Sequence, residues 1–261
     1  MAEIPESHPR RDSLLARQKL VDAAAKGLLA ESAMIAQGRG EAYDYLLGEQ
    51  TSESALLAIR EVAARLRAAV RPVISVNGNT VVLAGESLIR VAAAIRCPIE
   101  VNLYYRSPER IEGLLSLLSE QREGLKGEGA PKGFSGNWSN AVGSVRLMGA
   151  EGDGRIEGLG GPRSICSAEG IESADTVLVP LEDGDRCEAL IALGKEVLVI
   201  DLNPLSRTSM MASVTVVDEV ARASEALVGE VIACQRGPSQ WDNQQVLRDA
   251  LDTMAGALER I

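Results

Sequence analysis

The chain has 261 residues, 46% of them apolar and 3% aromatic, so Val, Ile, Leu and Ala must fill a core of substantial size. Its formal charge of −10 argues against a nucleic-acid partner held through phosphates. A local cluster of arginines can still attract a small anion.

The opening stretch, MAEIPESHPRRDSL, is polar and lacks the apolar centre of a secretory signal. The apolar runs fall short of the roughly 20 residues that a membrane span needs. The expectation is a soluble, cytoplasmic protein without a membrane partner. Cys97, Cys166, Cys187 and Cys234 are widely spaced and form no CxxC pair, which favours reduced structural thiols over a zinc or disulfide framework.

From about Ser13 to Arg71 the apolar residues recur at helical spacing. Two loops are expected to interrupt this region. One holds GRGEAYDYLLGE (Gly38 to Glu49), and the other holds Thr51 and Ser52, which can cap the next helix. From Pro72 the pattern becomes strand-like: VISV, IEVNLYY, TVLVP, EVLVID and SVTVVD. Helical stretches lie between them at Glu86 to Arg96, Ser107 to Glu123 and Asp185 to Leu193. This alternation predicts an α/β fold with a mostly parallel sheet flanked by helices, a helical N-terminal part and a C-terminal helix over Asp242 to Ile261. The connection from EVLVID to SVTVVD is too short for a helix on this reading, which leaves the pairing of SVTVVD open. Gly124 to Arg163, rich in glycine, reads as a long surface loop. One domain is expected, divided into a helical part (1–71), a nucleotide-binding core (72–235) and the last helix (236–261).

Ligands of open α/β sheets gather beyond the carboxyl ends of the strands. After TVLVP those ends carry Glu182, Asp183, Asp185 and Arg186, and after EVLVID they carry Asp201, Leu202, Asn203, Arg207 and Thr208. Asp183 and Asp185, on either side of Gly184, can hold Mg²⁺ or accept a proton, with Arg186 beside them as a catalytic cation. The alternative for the two aspartates is an ordinary helix N-terminus. Arg207 and Thr208 offer a guanidinium and a hydroxyl to a phosphate, and Asp201 suits a ribose or an adenine amine. At the N-terminus His8, Arg10 and Arg17 form one candidate anion block, and Arg39 lies between two glycines. Asn77 and Asn79 in VNGNT, with Asn102 and Arg106 in EVNLYYR, are candidate substrate ligands, unless the asparagines merely satisfy turn backbone. His8 is the single histidine, which removes triad schemes that need another. No GxxxxGK[ST] occurs, so a P-loop is excluded.

IPESHPR, GRGEAYDYLLGE, VNGNT, EVNLYYR, GLGGPR, VLVPLEDGDR and IDLNPLSRT, in this order from Ile4 to Leu227, resemble the archaeal phosphopantothenate synthetases, the 4-phosphopantoate–β-alanine ligases. The resemblance implies a Rossmann-like, cytoplasmic homodimer using ATP and Mg²⁺ in coenzyme A biosynthesis. It implies an acyl-adenylate route, releasing AMP and pyrophosphate. It also implies ATP contacts at Arg17, Arg39, Asp201, Leu202, Asn203, Arg207, Thr208 and the Glu219–Val220 step. Two positions depart from the family's pattern, which usually has His at Gln37 and often Asn at Glu219; a side-chain contact to adenine from Glu219 is thereby put in doubt. The rival readings are a ligase for another phosphorylated acid and a nucleotide-binding protein without catalysis.

Overall fold

The computed structural model describes residues 4–181 and 183–260. Helices α1 (Arg11–Ala25), α2 (Ser32–Leu47) and α3 (Glu53–Ala68) precede strand β1 (Pro72–Val76). There follow α4 (Gly78–Ile95), β2 (Ile99–Val101), α5 (Pro108–Lys126), α6 (Trp138–Gly143) and β3 (Leu147–Met148). Two short antiparallel strands, β4 (Gly154–Arg155) and β5 (Ile165–Cys166), form a separate ribbon. The chain then alternates: β6 (Thr176–Pro180), α7 (Gly184–Ala192), β7 (Glu196–Ile200), α8 (Arg207–Met211), β8 (Val214–Val216) and α9 (Val220–Ala233). It ends in α10 (Asn243–Ala255) and a 3₁₀ turn over Gly256–Arg260.

Six strands make one sheet in the order β3–β2–β1–β6–β7–β8, and every neighbouring pair is parallel. The strands read as continuous aliphatic runs because both faces are covered. Ile74, Val76, Leu178, Leu198, Ile200, Val214 and Val216 join a core with the buried residues of α3, α4 and α9. Val73, Val177, Val179, Val197 and Val199 face the other way, onto Cys187 and Leu190 of α7 and onto Ile156 and Ile171. Helix α4 is apolar and long enough to cross a membrane by composition, yet 72% of it is buried in this protein. The strand order reverses between β1 and β6, which opens a crevice beyond their carboxyl ends.

Three expectations need correction. Gly38 to Leu47 is helical and belongs to α2, not to a loop; a Cβ on Gly40 would lie 3.3 Å from the Leu202 side chain, so this glycine lets α2 approach the β7 end despite its cost of roughly 1 kcal/mol relative to alanine. The short connection after β7 does hold a helix, α8, and it carries β8 into parallel register beside β7. The glycine-rich stretch is not all loop: it contains the end of α5, then α6 and the edge strand β3. As expected, Ser52 caps α3 by accepting from the Ala55 N–H (3.2 Å).

Candidate functional site

Residues from α1, α2 and the ends of β1, β6, β7 and β8 enclose a cavity of about 1220 Å³ over the carboxyl edge of the sheet. At the reversal point Asn77 caps α4 by accepting from the Thr80 N–H (3.1 Å) and donates to the Leu181 carbonyl (2.8 Å), tying the two turns together. Leu181 has φ of 57°. A non-glycine residue in this left-handed region is held there by its surroundings and is a feature of functional turns. Gly184 allows another close approach, since a Cβ there would lie 2.6 Å from Cβ of Arg207.

His8, Arg10, Arg39, Asn77, Asn79, Asp183, Leu202, Glu219 and Val220 all line the cavity. Asn79 is buried, and its amide donates to the Ala33 carbonyl (3.1 Å). Glu219 caps α9 by accepting from the backbone N–H groups of Ala221 (2.9 Å) and Arg222 (3.0 Å). Burial pushes its carboxyl upward against those two bonds. Its side chain is therefore occupied by helix capping. Gln37 also lines the cavity.

The other predicted residues stand elsewhere. Arg17 is exposed, and its Nε donates to Glu41 of the cavity lining (2.7 Å). Asp185 and Arg207 are exposed and bond each other (2.5 Å), and Arg207 also reaches Glu188 (2.8 Å). Arg186 is 1% exposed and lies under the sheet, donating to the Ser75 hydroxyl (2.8 Å). It faces Glu100, whose carboxyl burial pushes up to about 7 although the Ile171 and Ser167 N–H groups bond it. Asp201 accepts from the Asn203 N–H (3.0 Å) and the Ser206 hydroxyl (2.5 Å). Thr208 is buried within α8. Asn102 is buried and donates to the Ile165 carbonyl (2.9 Å), while Arg106 donates to the Gly149 carbonyl (2.6 Å). Glu182 lies outside the described residues.

Several lining residues were not singled out from the sequence: Tyr104, Tyr105, Arg110, Arg163, Asp44 and Arg222. Arg222 joins Asp44 (2.6 Å) and Asp218 across α2 and α9. Thr51 also donates to Asp218 (2.7 Å). Burial raises the Asp44 carboxyl, opposed by the Arg222 bonds. The signal for Arg222 was its spacing of four from Asp218, just ahead of the α9 cap; for Arg163 it was the GLGGPR block.

The arginines of the cavity fall into two kinds. Arg10 is neutralised in place: its Nε donates to Glu49 (2.9 Å), one Nη reaches Glu41 (3.3 Å), and the guanidinium covers the Tyr45 ring at 5.1 Å. Burial opposes the charge of Glu41, but hydrogen bonds from Arg17 and Ser13 hold its carboxyl below the ordinary range. By contrast Arg11 and Arg39 make no side-chain hydrogen bond or ion pair among the described residues, and Arg11 Nε is buried without a partner. Arg110 bonds backbone carbonyls instead of carboxylates, and burial draws its guanidinium below its ordinary range. Open guanidinium groups with planar donor sets suit phosphate and carboxylate ligands.

Asp183 lines the cavity with its side chain 55% exposed, and Arg163 Nε lies 3.3 Å from its carboxylate. Among the described residues no three His, Cys, Asp or Glu side chains converge as a metal cage. Mg²⁺ needs few protein carboxylates when substrate phosphates supply the rest. Asp183 fits that role; Asp185, outside the cavity and engaged by Arg207, fits it less well.

A parallel sheet with a cavity at its switch point defines an α/β protein of the open, doubly wound kind, whose ligands gather over the strand ends. Residues 54–257 match the family model described as phosphopantothenate/pantothenate synthetase. The chain belongs to that family. It is 47% identical over 220 residues to the 4-phosphopantoate–β-alanine ligase of Methanospirillum hungatei, covering 84% of this chain and 81% of that protein. It is 41% identical over 270 residues to the ligase of the same name in Thermococcus kodakarensis, covering 100% and 95%. The corresponding figures for the Thermococcus onnurineus ligase are 39% over 259 residues, covering 96% and 92%.

Proposed function

We propose that this protein is an ATP-dependent ligase that joins 4-phosphopantoate to β-alanine, giving 4′-phosphopantothenate for coenzyme A biosynthesis in the cytoplasm. The observation that carries this reading is the switch-point cavity, lined by Arg11, Arg39 and Arg110, whose guanidinium groups have no carboxylate partner among the described residues. Both ATP and the phosphorylated acid are polyanions, and a protein of net charge −10 needs such local cations to hold them. Relatives at 39–47% identity carry the same ligase name.

The chemistry we assign has two steps. The acid's carboxylate oxygen attacks the α-phosphorus of ATP, and pyrophosphate leaves with the displaced electron pair. The β-alanine amine then attacks the acyl carbon, loses a proton, and expels AMP. Mg²⁺, arriving with the nucleotide, would neutralise phosphate charge in the first step, with Asp183 as its protein carboxylate. Arg39, exposed at the β7 end and acting across space on Asp201, is assigned to the nucleotide phosphates, with Arg17, Asp201, Leu202, Asn203, Arg207, Thr208 and Val220 framing the same edge. His8, Arg10, Asn77 and Asn79 bound the acid, and Asp183 faces the amine. Arg186 supports the turn from beneath. A homodimer is the assembly we expect. Aligning a carboxylate with a phosphate accounts for much of the acceleration in such a reaction.

The test is to incubate the protein with ATP, 4-phosphopantoate and β-alanine and to quantify AMP, pyrophosphate and 4′-phosphopantothenate. Formation of all three together, dependent on every substrate, supports the reading. No nucleotide turnover with any combination overturns it.

A further inference from the structure

Helix α2 carries Arg39 in the lining of the cavity, yet little of the helix is buried. Of its sixteen residues only Asp44 and Leu47 are buried, and one of these two is a carboxylate. Asp44 meets Arg222 of α9 in a forked ion pair, with Nη2 donating to Oδ1 (2.6 Å) and Nη1 to Oδ2 (3.4 Å). The same guanidinium donates through Nε to Asp218 (2.9 Å), which is 0% exposed just beyond β8. Asp218 is held in turn by the Thr51 hydroxyl (2.7 Å) and the Glu219 N–H (2.8 Å). One buried cluster thus joins α2, the turn before α3, the end of β8 and the start of α9.

Arg222 lines the cavity, but it is not an open anion ligand. Each nitrogen of its guanidinium donates to a carboxylate, and two carboxylates outnumber it. Apolar side chains could join the two helices as firmly, because desolvation offsets much of the attraction in a buried ion pair. What the pair adds is direction, since a guanidinium fork receives a carboxylate in one plane. Gly40 lies one turn before Asp44 on the same side of α2, and a Cβ there would stand 3.3 Å from the Leu202 side chain at the end of β7. Arg39, beside it, is exposed and makes no side-chain bond of its own among the described residues. Its place therefore rests on how α2 is seated. Two further ties of α2, from Asn79 to the Ala33 carbonyl and from Glu41 to Ser13 and Arg17, run to α4 and α1 and not to the strand ends.

We infer that Asp44 and Arg222 are positioning residues of the ligation: their ion pair, braced by Asp218, seats α2 so that Arg39 stands where the nucleotide's phosphates lie. The inference rests on the ligase reading above. Charge alone would act in the opposite direction. Removing a carboxylate beside an anion site tightens the anion, whereas losing a positioning pair loosens it, so the sign of the effect separates the two roles.

Calorimetric binding of ATP to wild type, Arg39→Ala, Asp44→Asn and the double variant tests this. Asp44→Asn should weaken ATP roughly tenfold, within the range for coupled neighbours. Added to Arg39→Ala, the same change should cost less than about twofold more, because its effect passes through Arg39. A residue needed only for the fold would give losses that multiply. Arg222→Lys repeats the comparison if urea titration shows Asp44→Asn to be unfolded, since one ammonium cannot form the fork; the same dependence on Arg39 is expected. Tighter ATP binding by Asp44→Asn, unchanged binding, or losses that multiply would each overturn the positioning role. The predicted coupling in a protein that forms no 4′-phosphopantothenate would sink the ligase reading and keep the positioning pair. Normal ligation with multiplying losses would do the reverse.

Discussion

The turns after β6 and β7 look alike in sequence, each an aliphatic strand running into carboxylates and an arginine, but they are finished differently. After β7, Asp201, Asn203, Ser206 and Ser209 bond one another and the local backbone. Arg207 is taken by Asp185 and Glu188. After β6, Leu181 is held at positive φ, Asn77 reaches across from β1, and Asp183 is left facing the cavity. The difference follows from strand order: β6 stands at the reversal point, with a crossover through α7 to β7 on one side only, whereas β7 has a crossover on each side. A polar turn is thus braced by its own side chains in one place and tied across the reversal point in the other.

The largest effect expected is at the open cation of the cavity. Arg39→Ala should lower kcat/KM by roughly 100-fold, the scale for losing one electrostatic contact to a transition state. Its melting temperature should stay near wild type, because the Arg39 side chain bonds nothing among the described residues. Steady-state kinetics with a thermal scan checks both halves. Asp183→Asn and Asp185→Asn then test the comparison directly. The first should cut kcat about tenfold or more, within the range for a positioned acid–base group. The second, which breaks an exposed pair with Arg207, should stay within about threefold. Equal losses would mean that the two turns are not functionally distinct.

Asp201→Ala should act first on stability. It strips partners from the Asn203 N–H and the Ser206 hydroxyl, at a cost of about 1–3 kcal/mol, readable as a lower urea midpoint. Ser52→Ala, far from either turn, should cost about 1 kcal/mol through the lost α3 cap and leave kinetics unchanged.

In β2, the buried Glu100 makes a pH prediction. Its folded-state carboxyl is raised to about 7 by burial from an ordinary 4.5. Between those values the folded protein holds a proton that the unfolded chain has released, so stability falls as pH rises and levels off above about 7. Chemical denaturation from pH 5 to 8 should show this decline, and Glu100→Gln should flatten it.

Much of the sheet was legible because β1, β6 and β7 are buried on both faces and read as unbroken aliphatic runs. Strand β3 was not, since two residues, Leu147 and Met148, carry no periodicity. Helix α2 was mistaken for a loop at Gly38–Arg39–Gly40 because local glycine propensity conceals its packing on Leu202. For the site, the polar strand ends announced themselves, but which of them face a cavity depends on strand order. Pairings such as Arg222 with Asp44, 178 residues apart, are set by tertiary packing alone. Arg110 left no trace in the sequence, being one surface-like arginine on an amphipathic helix until α5 is placed.

The most direct test of the account is to run the reaction with 4-phosphopantoate labelled by ¹⁸O in its carboxylate and to weigh the released nucleotide and phosphate by mass spectrometry. The account predicts one ¹⁸O per AMP, carried over when the amine displaces the adenylate from the acyl carbon. Label in inorganic phosphate, with ADP as the nucleotide product, would contradict it and require an acyl-phosphate route.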